Sequence, residues 1–177
     1  VQWELTARCN YQCLHCYRLE SKTSASPALE LPDHEMEKIA DLLIKHKLFF
    51  VTFTGGEPLL RKRLLFDLAQ SLFEAGTRLS LNTNLTLMDE SVLNVLRIHR
   101  LLISCPSSLH QHYGEITRTG NYHRFERNLA LVIDAKIDHT VNMVVHKLNR
   151  SDVRRTAMRM AELGVRQFAA TPMSLNT

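Results

Sequence analysis

Six short runs of β-branched and aliphatic residues recur along this chain, and the stretches between them place apolar residues at helical spacing. That rhythm leaves few folds open. Parallel strands need a long crossover, usually a helix, and the crossovers are right-handed, so alternating units build a parallel sheet covered by helices. Residues 2–6 alternate as a strand, and 49–54 form a buried strand halted by Gly55 and Gly56. Further strands are predicted at 78–83, 101–105, 138–145 and 166–170. Pro32 and Asp33 open a helix whose Met36, Ile39, Ala40, Leu43 and Ile44 share a face. Leu64, Leu65, Leu68 and Leu72 do the same over 61–75, where Gly76 is the stop. Helices are also predicted at 89–98, 122–134 and 151–163, the last ended by Gly164. The segments 18–31, with Ser24, Ser26 and Pro27, and 106–120 read as polar loops. Spacing alone admits two α/β architectures, an open doubly wound sheet or a barrel-like curl. Both collect their functional residues at the C-terminal ends of strands.

The 177 residues suffice for one domain with a sizeable core. No apolar run approaches the roughly 18 residues of a membrane helix, and the first residues read as a strand rather than a signal peptide. Lys and Arg are scattered at a net charge of +4. Arg150, Arg154, Arg155 and Arg159 recur on one segment, which reads as a solvated helix face rather than a nucleic-acid footprint.

Three of the four cysteines, Cys9, Cys13 and Cys16, crowd into eight residues after the first strand, and Cys105 lies far away. Clustered thiols indicate a metal site in a reducing, cytoplasmic compartment rather than a disulfide framework. Three thiolates on one loop can wrap an iron–sulfur cubane and leave one iron open to a further ligand. Structural zinc with His15 as fourth ligand is an alternative, though adjacent His15 and Cys16 would strain a tetrahedral shell. A redox pair at Cys13 and Cys16 is another, but it leaves Cys9 unexplained.

The spacing Cys9-x3-Cys13-x2-Cys16, followed by Tyr17, and the run Gly55-Gly56-Glu57-Pro58-Leu59 after the second strand resemble the radical S-adenosylmethionine superfamily. The ending Asn82-Thr83-Asn84 of the third strand and the segment from Ser104 to Arg118 extend the likeness over essentially the entire chain. The resemblance implies a partial (β/α)6 TIM barrel. It also implies a 4Fe–4S cluster on Cys9, Cys13 and Cys16, with S-adenosylmethionine chelating the open iron. Such enzymes cleave that cofactor reductively to a 5′-deoxyadenosyl radical, which abstracts hydrogen from a substrate. Residue by residue, Gly55, Gly56 and Glu57 match the motif that holds the cofactor's amino group. Ser104 matches a contact to its ribose or methionine part, and Arg118 an arginine that pairs its carboxylate. Asn84 and Asn142 match asparagines near the cofactor, Tyr17 an aromatic beside the cluster, and 171–173 an adenine contact.

One departure stands out. Peptide-modifying relatives read Ser-x-Asp-Gly after strand four, whereas this chain has Ser104-Cys105-Pro106-Ser107-Ser108, and Cys105 reads as a small buried thiol. The overall pattern still resembles peptide maturases that carry an extra cysteine-rich (SPASM-type) C-terminal domain, and a peptide is the expected substrate. Lacking an initiating Met and ending at strand six, residues 1–177 are expected to be the core domain of a longer protein. The segment 141–145 followed by Asn149 also resembles enzymes of molybdopterin and haem biosynthesis, which act on small molecules. The reading from another class is a non-catalytic zinc- or cluster-binding protein. The expected partners are the substrate and an electron donor such as flavodoxin or ferredoxin, with neither nucleic acid nor membrane.

Overall fold

The apolar runs form one six-stranded sheet in which every neighbouring pair is parallel and the spatial order is that of the chain. The strands are β1 (Gln2–Thr6), β2 (Phe50–Gly55), β3 (Arg78–Thr83), β4 (Arg100–Ser104), β5 (Asp138–Val145) and β6 (Phe168–Pro172). The structure is a computed structural model that describes residues 1–17 and 30–173. The expected polar stretch with Ser24, Ser26 and Pro27 lies outside the described residues.

Strand order decides between the two architectures left open by the spacing. A doubly wound sheet reverses its direction of growth, so that its helices cover both faces. Growth in one direction with right-handed crossovers sets every helix on the same face and curls the sheet around the other. The chain is therefore a partial α/β barrel, with β1 and β6 at the two ends of the order.

Among the described residues six α-helices cover it: α1 (Asp33–Lys45), α2 (Lys62–Glu74), α3 (Glu90–Val95), α4 (His110–Thr117), α5 (Tyr122–Asp134) and α6 (Val153–Glu162). Helix α2 shows why they dock. Leu64, Leu65, Leu68, Ala69 and Leu72 fall on one stripe and are all buried against a core that includes Phe53, Leu79, Leu81 and Leu101. Each such leucine stabilises the fold by about 1.5–3 kcal/mol relative to exposure. Asp89 caps α3 through the Val92 N–H at 2.9 Å, and Asn121 caps α5 through Arg124 N–H at 3.1 Å. Among the described residues no helix is long and apolar enough to cross a membrane.

The loop expected over 106–120 is a correction: it contains α4. Three of that helix's eight residues, Tyr113, Ile116 and Thr117, are buried, a sparse i, i+3, i+4 signal in an otherwise polar segment. Tertiary contacts supply what the periodicity lacks. Asp152, buried at the start of α6, accepts from Ser107 Oγ at 2.7 Å and pairs with His112 Nδ1 at 2.6 Å. Burial alone would raise the Asp152 carboxyl, but the hydrogen bonds from His112 and Ser107 outweigh it and hold the group below its usual range. Smaller differences are a shorter α3, and strands β4 and β6 shifted to begin at Arg100 and Phe168.

Candidate functional site

Because all six strands run the same way, their C-terminal ends meet at one rim, and a cavity of about 250 Å³ opens there. Cys9, Cys13, Cys16 and Tyr17 line it from the loop after β1, Thr54, Gly55 and Gly56 from β2, and Asn82, Thr83 and Asn84 from β3. Ser104 and Cys105 contribute from β4, and Asn142 and Val144 from β5. The three clustered thiols thus share one cavity with most of the polar positions singled out in the sequence.

The cysteine loop is hung by its backbone. On one side Gly56 N–H donates to Thr6 O at 2.7 Å and Glu57 N–H to Arg8 O at 2.9 Å. On the other, Gln12 N–H reaches Thr117 O at 3.1 Å and Leu14 N–H reaches Ile116 O at 2.9 Å, both at the end of α4. The glycines are required by the first of these seams. A Cβ on Gly55, whose φ is +136°, would lie 2.3 Å from Thr6 O, and one on Gly56 only 1.9 Å from Arg8 O. The close approach that these glycines permit is therefore that of the cysteine loop itself.

Glu57 and Arg118 depart from expectation. Glu57 is fully buried beneath the cavity instead of lining it. Its carboxylate accepts from Leu59 N–H at 3.2 Å, Thr83 Oγ1 at 2.9 Å and Asn84 N–H at 2.8 Å, so it braces the ends of β2 and β3. Burial pushes its pKa up to about 7 despite those three donors. Arg118 is exposed and outside the cavity lining. It sits in the left-handed region, φ +63°, at the turn that ends α4, and its N–H returns to Gly114 O at 2.7 Å.

The remaining positions gather at the rim. Asn84 Nδ2 donates to Asn10 Oδ1 at 2.8 Å and lies 3.8 Å from Cys9 Sγ, within reach of a hydrogen bond to sulfur. Asn142 Oδ1 accepts from Thr171 Oγ1 at 2.8 Å, and Ser104 is exposed at the cavity. Tyr17 stands at the margin, with its hydroxyl donating to Glu4 at 3.1 Å. Cys105 is buried, and burial raises its thiol, as suits a structural residue. His15 packs at a tilt against His146 with ring centres 5.4 Å apart, and burial disfavours protonation of His146. Asn10 and Thr83 were missed. Asn10 lies between two cysteines and has no periodicity to mark it, and the sequence marks Thr83 only as the middle of the Asn82-Thr83-Asn84 run, with no role of its own.

The donor set can be tested against its two candidate occupants. A single tetrahedral zinc ion needs sulfurs about 3.8 Å apart, given Zn–S bonds of about 2.3 Å. Among the described residues Cys9, Cys13, Cys16 and His15 supply no group of three ligand atoms all within 4.8 Å of one another. An iron–sulfur cluster bridges wider separations than a single ion, and the three thiols share one cavity in which such a body would sit.

The family model described as the Radical SAM superfamily matches residues 3–160. The chain is 32% identical over 170 residues to the AdoMet-dependent heme synthase of Methanosarcina barkeri, covering 93% of this chain and 47% of the relative. It is 28% identical over 174 residues to the antilisterial bacteriocin subtilosin biosynthesis protein AlbA of Bacillus subtilis, covering 94% of this chain and 38% of the relative. The chain thus spans less than half the length of either. Among solved structures it is similar to anSMEcpe with bound AdoMet, at a TM-score of 0.80 and 18% identity over 98% of this chain and 49% of that one. Streptococcus suis SuiB bound to S-adenosylmethionine gives a TM-score of 0.78 at 15% identity, over 99% of this chain and 39% of SuiB. These two likenesses are of fold.

Two outcomes are expected. Gly56→Ala unseats the cysteine loop, so iron bound after anaerobic reconstitution falls several-fold. Gly114→Ala, where a Cβ meets nothing within 4 Å, binds iron as wild type does. Glu57, whose folded pKa lies above the ordinary 4.5, favours folding most fully at low pH and loses that contribution as pH rises towards 7. In denaturant melts the wild type should lose about 3 kcal/mol of stability relative to Glu57→Gln between pH 4.5 and 8.

Proposed function

Because the chain belongs to the radical SAM superfamily, we propose that it is the catalytic core of an enzyme that uses S-adenosylmethionine and an iron–sulfur cluster to abstract hydrogen from a peptide. The observation that carries this reading is the convergence of Cys9, Cys13 and Cys16 with Gly55, Gly56, Asn84, Ser104 and Asn142 at one cavity. In it, Cys9, Cys13 and Cys16 hold a 4Fe–4S cluster, which when bound supplies the electron for reductive cleavage of S-adenosylmethionine.

The chain's own residues do the positioning. The backbone seams at Gly56, Glu57, Gln12 and Leu14 hold the loop so that the thiolates face the cavity as a set. Asn84 directs an amide at the Cys9 sulfur, and such donors stabilise negative charge on a thiolate. Ser104 and Asn142 offer polar contacts to the ribose and methionine parts of the cofactor from β4 and β5. Tyr11, Pro106 and Val144 give the cavity apolar walls, which exclude water from a reactive site. Arg118 keeps a role only if its exposed side chain turns inward when the cofactor binds. The substrate enters at the open side between β1 and β6, and a ferredoxin- or flavodoxin-class protein delivers the electron. Clustered thiols and a reducible cluster suit a cytoplasmic setting.

A peptide substrate is supported by AlbA, a bacteriocin biosynthesis protein. A second reading, a cofactor precursor such as a tetrapyrrole, is supported by the 32% identity to a heme synthase. The test is anaerobic: reconstitute the cluster, reduce, add S-adenosylmethionine, and follow 5′-deoxyadenosine by mass spectrometry. Product is expected from wild type and absent from Cys13→Ala. Retained product in that variant would sink the ligand assignment. Stimulation by ribosomal precursor peptides, with none by iron porphyrins, is expected; the reverse pattern selects the second reading.

A further inference from the structure

Away from the cavity, His110, His123 and Glu126 bring one ligand atom each to within 4.8 Å of one another. They come from two helices. His110 is the first residue of α4, and His123 and Glu126 stand at i and i+3 on α5, hence on one face of that helix. The two imidazole rings meet edge to face with centres 4.2 Å apart, and His110 also packs 4.8 Å from the ring of Tyr122. Glu126 is held from a third element. Its Oε1 accepts from Arg159 Nε at 3.0 Å and from the Arg159 Nη2 at 2.8 Å, which fixes the carboxylate before anything binds. Arg159 shares its charge with Glu162 at 3.1 Å, so the guanidinium is balanced by two carboxylates.

We propose that His110, His123 and Glu126 form a three-ligand site for a divalent transition metal of the zinc class, distinct from the cysteine loop. Two imidazoles and one carboxylate are the donors that borderline ions such as Zn2+ prefer, whereas Mg2+ and Ca2+ favour all-oxygen shells. Arg159 orients the carboxylate as an outer partner of the site. Such an ion clamps the start of α4 to α5. The far end of α4, about 10 Å along the helix, carries the Ile116 and Thr117 carbonyls on which the cysteine loop hangs. The metal therefore stiffens the platform beneath the cysteine loop without touching the cavity.

The probe is Zn2+ itself, added to the anaerobic, iron–sulfur-loaded protein so that the cysteine thiolates are engaged. Metal counting after desalting should find about one zinc per chain, and thermal unfolding should move upward with zinc. His123→Ala, at the surface, and Glu126→Gln, at a partly buried position, should each weaken binding about tenfold or more and abolish the thermal shift. Co2+ in place of zinc should give weak ligand-field bands without sulfur-to-metal charge transfer. Zinc retained equally by both variants, a thiolate-type cobalt spectrum that they leave unchanged, or no binding at all would overturn the proposal.

Discussion

The backbone contact between the cysteine loop and the end of β2 is the constraint on which the rest of the site depends. Gly55 and Gly56 lie so close to Thr6 and Arg8 that no side chain fits between them. Only with that seam closed do three thiols from one eight-residue segment face one cavity. The remaining support comes from α4, whose terminal carbonyls take the loop's other amides. A loop fixed along both edges loses little further entropy on binding a cluster, which is the usual benefit of a preorganised site.

Glu57 extends this constraint to the next strand. Its buried carboxylate joins Leu59, Thr83 and Asn84, and Asn84 in turn reaches Asn10 and Cys9. The glycine pair and the acid thus act as one bracket across β1, β2 and β3. Burial at that depth disfavours the charged form, and the pKa stays raised despite the three donors. Within the run, Gly55 and Gly56 line the cavity, while Glu57 shapes it from its buried position.

Much of this was legible in the residues. Strand and helix periodicity placed five of the helices and all six strands, because buried stripes such as Leu64–Leu72 leave a strong pattern. The cysteine spacing and the glycine pair marked the loop and its seat. Helix α4 was not legible, since it is short, polar and held by Asp152 from more than thirty residues away. The positions of Glu57 and Arg118 were not legible for a related reason. A sequence shows a charged residue beside a motif, but whether it faces the cavity depends on which partners the fold brings to it. For Glu57 these are three donors, two of them from β3 and the residue just after it. Asn10 and the His110–His123–Glu126 group likewise emerge only when separate elements are brought together.

Iron-57 Mössbauer spectroscopy of the reconstituted chain, with and without S-adenosylmethionine, tests the three-thiolate assignment most directly. With three protein ligands, a cubane cluster keeps one iron open, and addition of S-adenosylmethionine should shift the signal of about a quarter of the iron. Four equivalent iron sites that ignore the cofactor, or a loop that takes up zinc in place of iron, would contradict it.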